Sequence, residues 1–219
     1  GMVRFATDEY NLDKNHLSHK YSYLTNVNIN QKNKKDYKKA TNADTQEGSK
    51  WSLQVYEDYC NNNNIDYMHI RKQMGDIAIK SVLSVHEQFL NRIKENETQD
   101  RNHFKLLGFD FLLDENMKVH LIEINSRPSL LMGDINDRKL KPQLIADCLN
   151  IIGIIPYSHE YKDGFAPFDN KDDNEDVNNL NDKKRIKDAV DISLCEFGRP
   201  RGRFELIFPL KDIQNQKIF

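Results

Sequence analysis

The stretch from Phe104 to Leu130, FKLLGFDFLLDENMKVHLIEINSRPSL, constrains the fold more than any other part of the chain. Two apolar runs flank the polar pair Glu115-Asn116, the pattern of two antiparallel strands joined by a turn. The first run ends at Asp114 and the second extends from Lys118 to Ile124. Strand side chains alternate between faces, so Val119, Leu121, Glu123 and Asn125 share one face, and His120, Ile122 and Ile124 the other. A turn with an even number of residues puts Asp110 on the face of Glu123 and Asn125; an odd number reverses it. Two carboxylates and an amide oxygen on one wall are hard donors suited to Mg²⁺, which completes its octahedron with water and substrate phosphates. The alternative, carboxylates merely solvated or paired with lysines, is disfavoured because charged residues seldom interrupt such apolar strands without a partner.

Bulk properties narrow the function classes. The chain has 219 residues, 30% of them charged, with a formal net charge of −2 at pH 7. That balance offers no basic footprint for nucleic acid. No apolar run approaches membrane-spanning length, and no basic segment followed by an apolar one opens the chain. Cys60, Cys148 and Cys195 are far apart and match no metal spacing, which points to reduced thiols in a cytoplasmic protein.

Periodicity and punctuation sketch the remaining elements. Val3 to Ala6 and Tyr21 to Ile29 read as strands, and the polar segment from Asn30 to Ser49 as a mobile loop. Trp51 to Tyr59 reads as a short helix ended by the Asn61–Asn64 run, with Trp51 as a packing residue. Met74, Ala78, Val82, Val85, Phe89 and Ile93 form one apolar stripe, the signature of a long helix packed on the core. Leu140, Leu144, Cys148 and Ile152 form another, with Pro142 suited to its first turn and Gly153 and Pro156 ending it. The Asp/Asn/Lys-rich residues from Tyr161 to Lys184 read as linker, Asp182 to Glu196 as a last helix, and GRFELIFPL as an edge strand or docked tail. The basic run Lys32 to Lys39 and the arginines Arg199, Arg201 and Arg203 read as solvated charge, with contact to an acidic partner as the alternative.

Several segments, in order, resemble the tubulin tyrosine ligase-like family of ATP-grasp ligases. GFDFLLDENMKVHLIEINSRPS is similar to its C-terminal metal-binding motif, VRFATDEY to its arginine-bearing strand and YLTNVNIN to its LTN motif, while GSKWSL and GRFELIFP also match. The resemblance implies an α/β fold, the C-terminal half of an ATP-grasp fold, with an antiparallel sheet and packed helices. Residues 1–158 would belong to the ligase domain, 159–184 to a linker, and 185–219 to a C-terminal helix and tail docking on that domain. It further implies that Asp110, Glu123 and Asn125 bind Mg²⁺, that Thr25 and Asn26 line the ATP site, and that Arg4 and Lys141 hold the incoming amino acid. Lys141 precedes Pro142, so it is expected at a helix N-terminus, itself favourable for an anion. Tyr23, Val27 and Gln31 depart from the family's LTN pattern, where histidine, an aromatic residue and lysine are common.

The implied reaction is ATP-dependent ligation of an amino acid, glutamate foremost, to a carboxylate of tubulin or another protein through an acyl phosphate. The implied partners are the acidic tails of tubulin or microtubules and free glutamate, with no nucleic acid and no membrane. The implied location is cytoplasmic and cytoskeletal, on microtubules or in a cilium. The family's phosphate-gripping lysines precede the arginine strand with which this chain opens, so the resemblance implies a truncated chain that is inactive alone. A non-catalytic tubulin-binding module, or a glycine- or tyrosine-adding ligase, remains the alternative.

Overall fold

The computed structural model describes residues 1–11, 18–95, 104–153, 199 and 201–208. They fall into two compact units, one of Gly1–Pro142 with Leu206–Phe219, the other of Gln143–Glu205. The architecture mixes helices with small antiparallel sheets, consistent with the α/β expectation.

In the first unit, strand β1 (Met2–Arg4) pairs antiparallel with β2 (Lys50–Ser52), with Arg4 opposite Lys50 and Val3 opposite Trp51. The expected helix at Trp51 therefore starts later. Ser52 ends the strand and caps helix α2 (Leu53–Asn62), its side chain accepting from Val55 N at 3.2 Å. The helix ends within the Asn run, where Asn64 takes φ 57°, a left-handed conformation that asparagine tolerates. Tyr56, Cys60 and Tyr67 form the centre of the core, with Val3, Phe5, Trp51, Tyr59, Ile65 and Leu113 packed around them. The rings of Phe5 and Trp51 lie 4.5 Å apart and those of Trp51 and Tyr59 5.6 Å, which bears out Trp51 as a packing residue.

Residues 21–29 are not a strand. They hold a single 3₁₀ turn (Lys20–Ser22) and helix α1 (Val27–Asn30). Asparagines decide the difference: the Asn26 side chain caps α1, and the buried Asn30 amide donates to the carbonyls of Leu24 and Asn26. Local side-chain bonds of this kind compete with a strand ladder. In the following loop, Ser49 N bonds Lys38 O at 2.9 Å and Thr41 Oγ1 bonds Glu47 at 2.7 Å.

The single long helix is instead two, α3 (Tyr67–Leu83) and α4 (His86–Glu95). At the break, Ser81 and Ser84 donate their hydroxyls to the carbonyls of Ile77 and Ser81, a back-bonding that bends and ends helices. Its stripe is not core either. Val82 and Phe89 are exposed, and the buried side chains of α3 are Tyr67 and Ile70.

The predicted hairpin is present as β3 (Gly108–Leu113) and β4 (Val119–Asn125). Gln73 of α3 latches its turn end: the amide nitrogen donates to Met117 O at 3.1 Å and the amide oxygen accepts from Val119 N at 3.0 Å. Helix α5 (Ile135–Ile152) begins earlier than the apolar stripe implied. Asp134 caps it by accepting from Asp137 N at 2.9 Å, so Pro142 lies inside the helix rather than in its first turn. Proline there removes one helical hydrogen bond.

The second unit holds the last turns of α5. Its buried Asp147 accepts from Gln143 Nε2 at 2.7 Å and from Arg203 N at 3.0 Å, and Arg199 Nη1 donates to Ile151 O at 2.9 Å. A Cβ on Gly202, where φ is 54°, would meet Asp147 Oδ1 at 2.0 Å, so this contact requires glycine. Residues 201–208 run as turn and irregular chain, not as an edge strand. The linker at 159–184 and the last helix at 182–196 lie outside the described residues. No helix among the described residues is long and apolar enough to cross a membrane.

Ile70 is 0% exposed, so Ile70→Ala should destabilise the first unit by about 3 kcal/mol in chemical denaturation. Val82→Ala, on the exposed stripe, should change stability by less than about 0.5 kcal/mol.

Candidate active site

The open end of the hairpin carries the oxygen donors. Leu113 pairs with Val119, leaving residues 114–118 as an odd-numbered connection. Unbroken pairing from there would put Asp110 opposite Ile122, on the wrong face. A β-bulge prevents this. Phe111 pairs with Leu121 and the next pair is Asp110 with Glu123, so Ile122 is the extra residue and the two carboxylates face each other. The common face is thus reached by a bulge, not by the even turn that the sequence pattern assumed.

Asn125 lies opposite Gly108 and donates its amide nitrogen to Glu123 Oε1 at 3.3 Å. Among the described residues no ion pair to Asp110 or Glu123 is present, and like charges directly opposite in a strand pair repel. A hard cation shared by the two carboxylates would relieve that repulsion, and the donor set fits Mg²⁺ in kind. Among the described residues no three His, Cys, Asp or Glu side chains form a metal cluster, so amide, water or phosphate oxygens would have to complete the shell. His120 stays at the turn, its Nε2 2.9 Å from Asp114 Oδ2, with Asp114 also accepting from Asn116 N and Lys118 N.

A second group of charges gathers at the start of α5. Lys50, only 8% exposed, places Nζ 2.9 Å from Asp134 Oδ2 and 2.8 Å from Asp137 Oδ2. The other oxygen of Asp137, Oδ1, lies 2.9 Å from Lys141 Nζ. Lys141 also donates to Leu131 O, and Asn136 donates to Lys50 O at 2.9 Å. Arg4 is Lys50's partner across β1–β2, so their side chains share a face. Arg4 is exposed.

Burial raises the Tyr37 phenol, as do Asp134 and Asp137, while Lys50 and Arg4 pull it the other way; Tyr37 thus sits within the field of the whole group. Burial also pushes the Asp137 carboxyl up, but the hydrogen bonds from Lys50 and Lys141 outweigh it and hold the group below its ordinary value.

The structure therefore places Lys141 in a bonded network with Lys50, Asp134 and Asp137, sets Arg4 opposite Lys50 on the paired strand, and gathers Asp110, Glu123 and Asn125 at one hairpin end. Lys141 is not at a helix N-terminus: α5 begins at Ile135, so its charge acts through Asp137 and not through an anion-binding helix end. Thr25 and Asn26 stand at the start of α1, where Asn26 Oδ1 accepts from Asn28 N at 2.9 Å. That capping role is the Asx turn expected of such a pair without any ligand. Sequence reasoning missed Lys50, Asp134 and Asp137. The spacing of Asp137 and Lys141 on one helix face was a legible signal; Lys50 had none, 84 residues from Asp134.

The sequence profile of the tubulin-tyrosine ligase family matches residues 1–162. The chain belongs to this family. It is 32% identical over 155 residues to tubulin monoglutamylase TTLL4 of Mus musculus, covering 71% of this chain and 13% of that protein. It is 32% identical over 154 residues to tubulin polyglutamylase ttll-4 of Caenorhabditis briggsae, covering 70% and 25%. It is 28% identical over 156 residues to tubulin polyglutamylase TTLL5 of Mus musculus, covering 71% and 12%. The chain thus spans between about an eighth and a quarter of the length of these family members.

The depressed Asp137 carboxyl gives an acid-stability test. Its stabilising contribution is complete above the unfolded value, near 3.8, and is lost as pH falls through the lower folded value. Asp137→Asn should remove that part of the acid unfolding curve, followed by circular dichroism, while leaving the curve's shape above pH of about 5 unchanged.

Proposed function

We propose that this chain is part of an ATP-dependent ligase that joins an amino acid, glutamate by preference, to a carboxylate of tubulin or another protein. The observation that carries the reading is the facing of Asp110 and Glu123 across the bulged hairpin, with Asn125 beside them, in a chain of this family. The relatives' names as tubulin glutamylases support glutamate as the added residue and tubulin as the acceptor. The exposed Leu112, Ile122 and Ile124 on the hairpin support reading the chain as the C-terminal portion of a larger ATP-grasp domain that would cover them. Residues 1–158 would form that portion.

In this reading an acceptor carboxylate oxygen takes the terminal phosphoryl group of ATP, ADP leaves, and an acyl phosphate forms. The amine of the incoming amino acid then attacks the acyl carbon; the amide bond forms, phosphate departs and the amine gives up a proton. Mg²⁺, when bound, supplies neutralisation of phosphate charge. Asp110, Glu123 and Asn125 would hold it. Arg4 presents a planar fork for a carboxylate, and Lys141 a second cation, so the pair orients the incoming amino acid. Thr25 and Asn26 would line the nucleotide.

A competition among labelled glutamate, glycine and tyrosine with the intact protein tests the assignment, with glutamate expected to win. Lys141→Ala and Arg4→Ala should each lower kcat/KM for glutamate more than about tenfold, corresponding to roughly 2 kcal/mol for a lost charge-assisted contact. Asp110→Ala or Glu123→Ala should abolish turnover. Residues 1–219 alone should incorporate negligible glutamate into tubulin. Preferred glycine or tyrosine, or an unchanged glutamate KM in Lys141→Ala, would refute glutamate as the substrate.

A further inference from the structure

Asp137 uses both of its carboxylate oxygens on lysines that approach from different elements. Oδ2 takes Lys50 of β2 and Oδ1 takes Lys141 of α5. Lys50 is held in turn at both its ammonium and its carbonyl. Its ammonium meets Asp134 as well as Asp137, and its carbonyl accepts from Asn136, the residue between them. Across the strand pair, Lys50 registers with Arg4. A continuous chain of bonded groups therefore runs from Arg4's strand partner Lys50 through Asp137 to Lys141, which also donates to Leu131 O.

The two lysines differ in what they leave for a ligand. The Lys50 side chain is buried between two carboxylates. Lys141 meets one carboxylate, Asp137, and the neutral carbonyl of Leu131, so fewer carboxylates balance its charge. Arg4 is exposed and has no ion-pair partner among the described residues. Three cations, Arg4, Lys50 and Lys141, stand against two carboxylates, Asp134 and Asp137, leaving one positive charge. Glutamate, with two carboxylates and one ammonium, is the complement in sign; glycine and tyrosine are neutral zwitterions at pH 7.

We infer that Asp137 is a positioning residue that ties the Lys141 ammonium to Lys50, on the strand pair that carries Arg4, and thereby favours an incoming amino acid with two carboxylates over one with a single carboxylate. The inference rests on the reading that Arg4 and Lys141 hold the amino acid. It adds a residue that touches no substrate, acting through Lys141.

Calorimetric titration of the intact protein with L-glutamate and with glycine tests it, alongside a double-mutant cycle of Asp137→Asn and Lys141→Ala. Asp137→Asn should weaken L-glutamate about tenfold and glycine less than about twofold, with glutamate KM raised and kcat at saturation nearly unchanged. Because Asp137 acts through Lys141, the double variant should lose no more than either single one, about tenfold instead of about a hundredfold. Independent losses that multiply, or equal weakening of glycine, would overturn the positioning role while leaving the ligase reading intact. A wild-type protein that ligates glutamate yet shows unchanged affinity in Asp137→Asn would do the same. Failure of the wild type to bind L-glutamate at all would overturn both readings. Should Asp137→Asn melt below the assay temperature, Asp137→Glu keeps the charge but lengthens the arm, and the same selective loss for L-glutamate is expected; unchanged affinity there would count against the inference.

Discussion

The ammonium of Lys50, withdrawn from water between Asp134 and Asp137, is the joint on which the charged part of this molecule depends. A buried cation is unfavourable unless its partners are held in place, and removing one partner of such a group typically costs about 3–5 kcal/mol. The fold supplies that placement from both sides. β2 delivers Lys50 in register with Arg4, while Asp134, as the cap of α5, presents one carboxylate oxygen to the lysine and uses the other to start the helix that carries Asp137 and Lys141. Capping, helix direction and ion pairing thus use the same few atoms. Asn136 adds a constraint, since its amide nitrogen reaches the Lys50 carbonyl whereas its buried Oδ1 finds no partner among the described residues. A buried polar atom left in this state is unfavourable, and it lies beside the residues that set the geometry of the charge network.

The hairpin solves a different problem, that of parity. An odd connection and a strict two-residue alternation would have separated Asp110 from Glu123, and the bulge at Ile122 restores them to one face. The extra residue is apolar and 61% exposed, so it does not owe its position to burial among the described residues. At the other end, the Gln73 amide bonds both Met117 O and Val119 N, tying the turn to α3. The hairpin is therefore anchored at its turn and carries its carboxylates at the far end.

What could be read from the sequence was local. The two hairpin strands, the Asn run that ends α2 and the glycine after α5 are encoded within a few residues of where they act. The segment around Asn26 was expected to be a strand, and the Asn26 side chain instead turns the backbone. The misses were competitions between local signals or effects of distance. The α3 stripe kept its helical period through Ser84, but serine hydroxyls bonded back to the backbone and the helix stopped. Pro142 looked like a helix start because proline is favoured there, yet the earlier Asp134 cap set the boundary and proline was carried inside. The bulge lies within the hairpin segment but has no residue pattern that marks it, while the Lys50 pairing joins residues 84 apart that no window of sequence contains.

The two charge groups also differ in sign. The hairpin end presents Asp110 and Glu123 without cationic partners among the described residues, a negative pole that favours a metal ion. The α5 end presents Arg4 and Lys141 around carboxylates that only partly balance them, a positive pole that favours an anion. Had the acidic residues of α5 been absent, Lys50 and Lys141 would repel each other and Lys50 could not be buried as an ion. Had they been more numerous, the pole would be neutral and blind to a second carboxylate. Asp134 and Asp137 keep the lysines in place while leaving the group positive, and the proposed preference for an acidic ligand rests on that balance more than on any single cation.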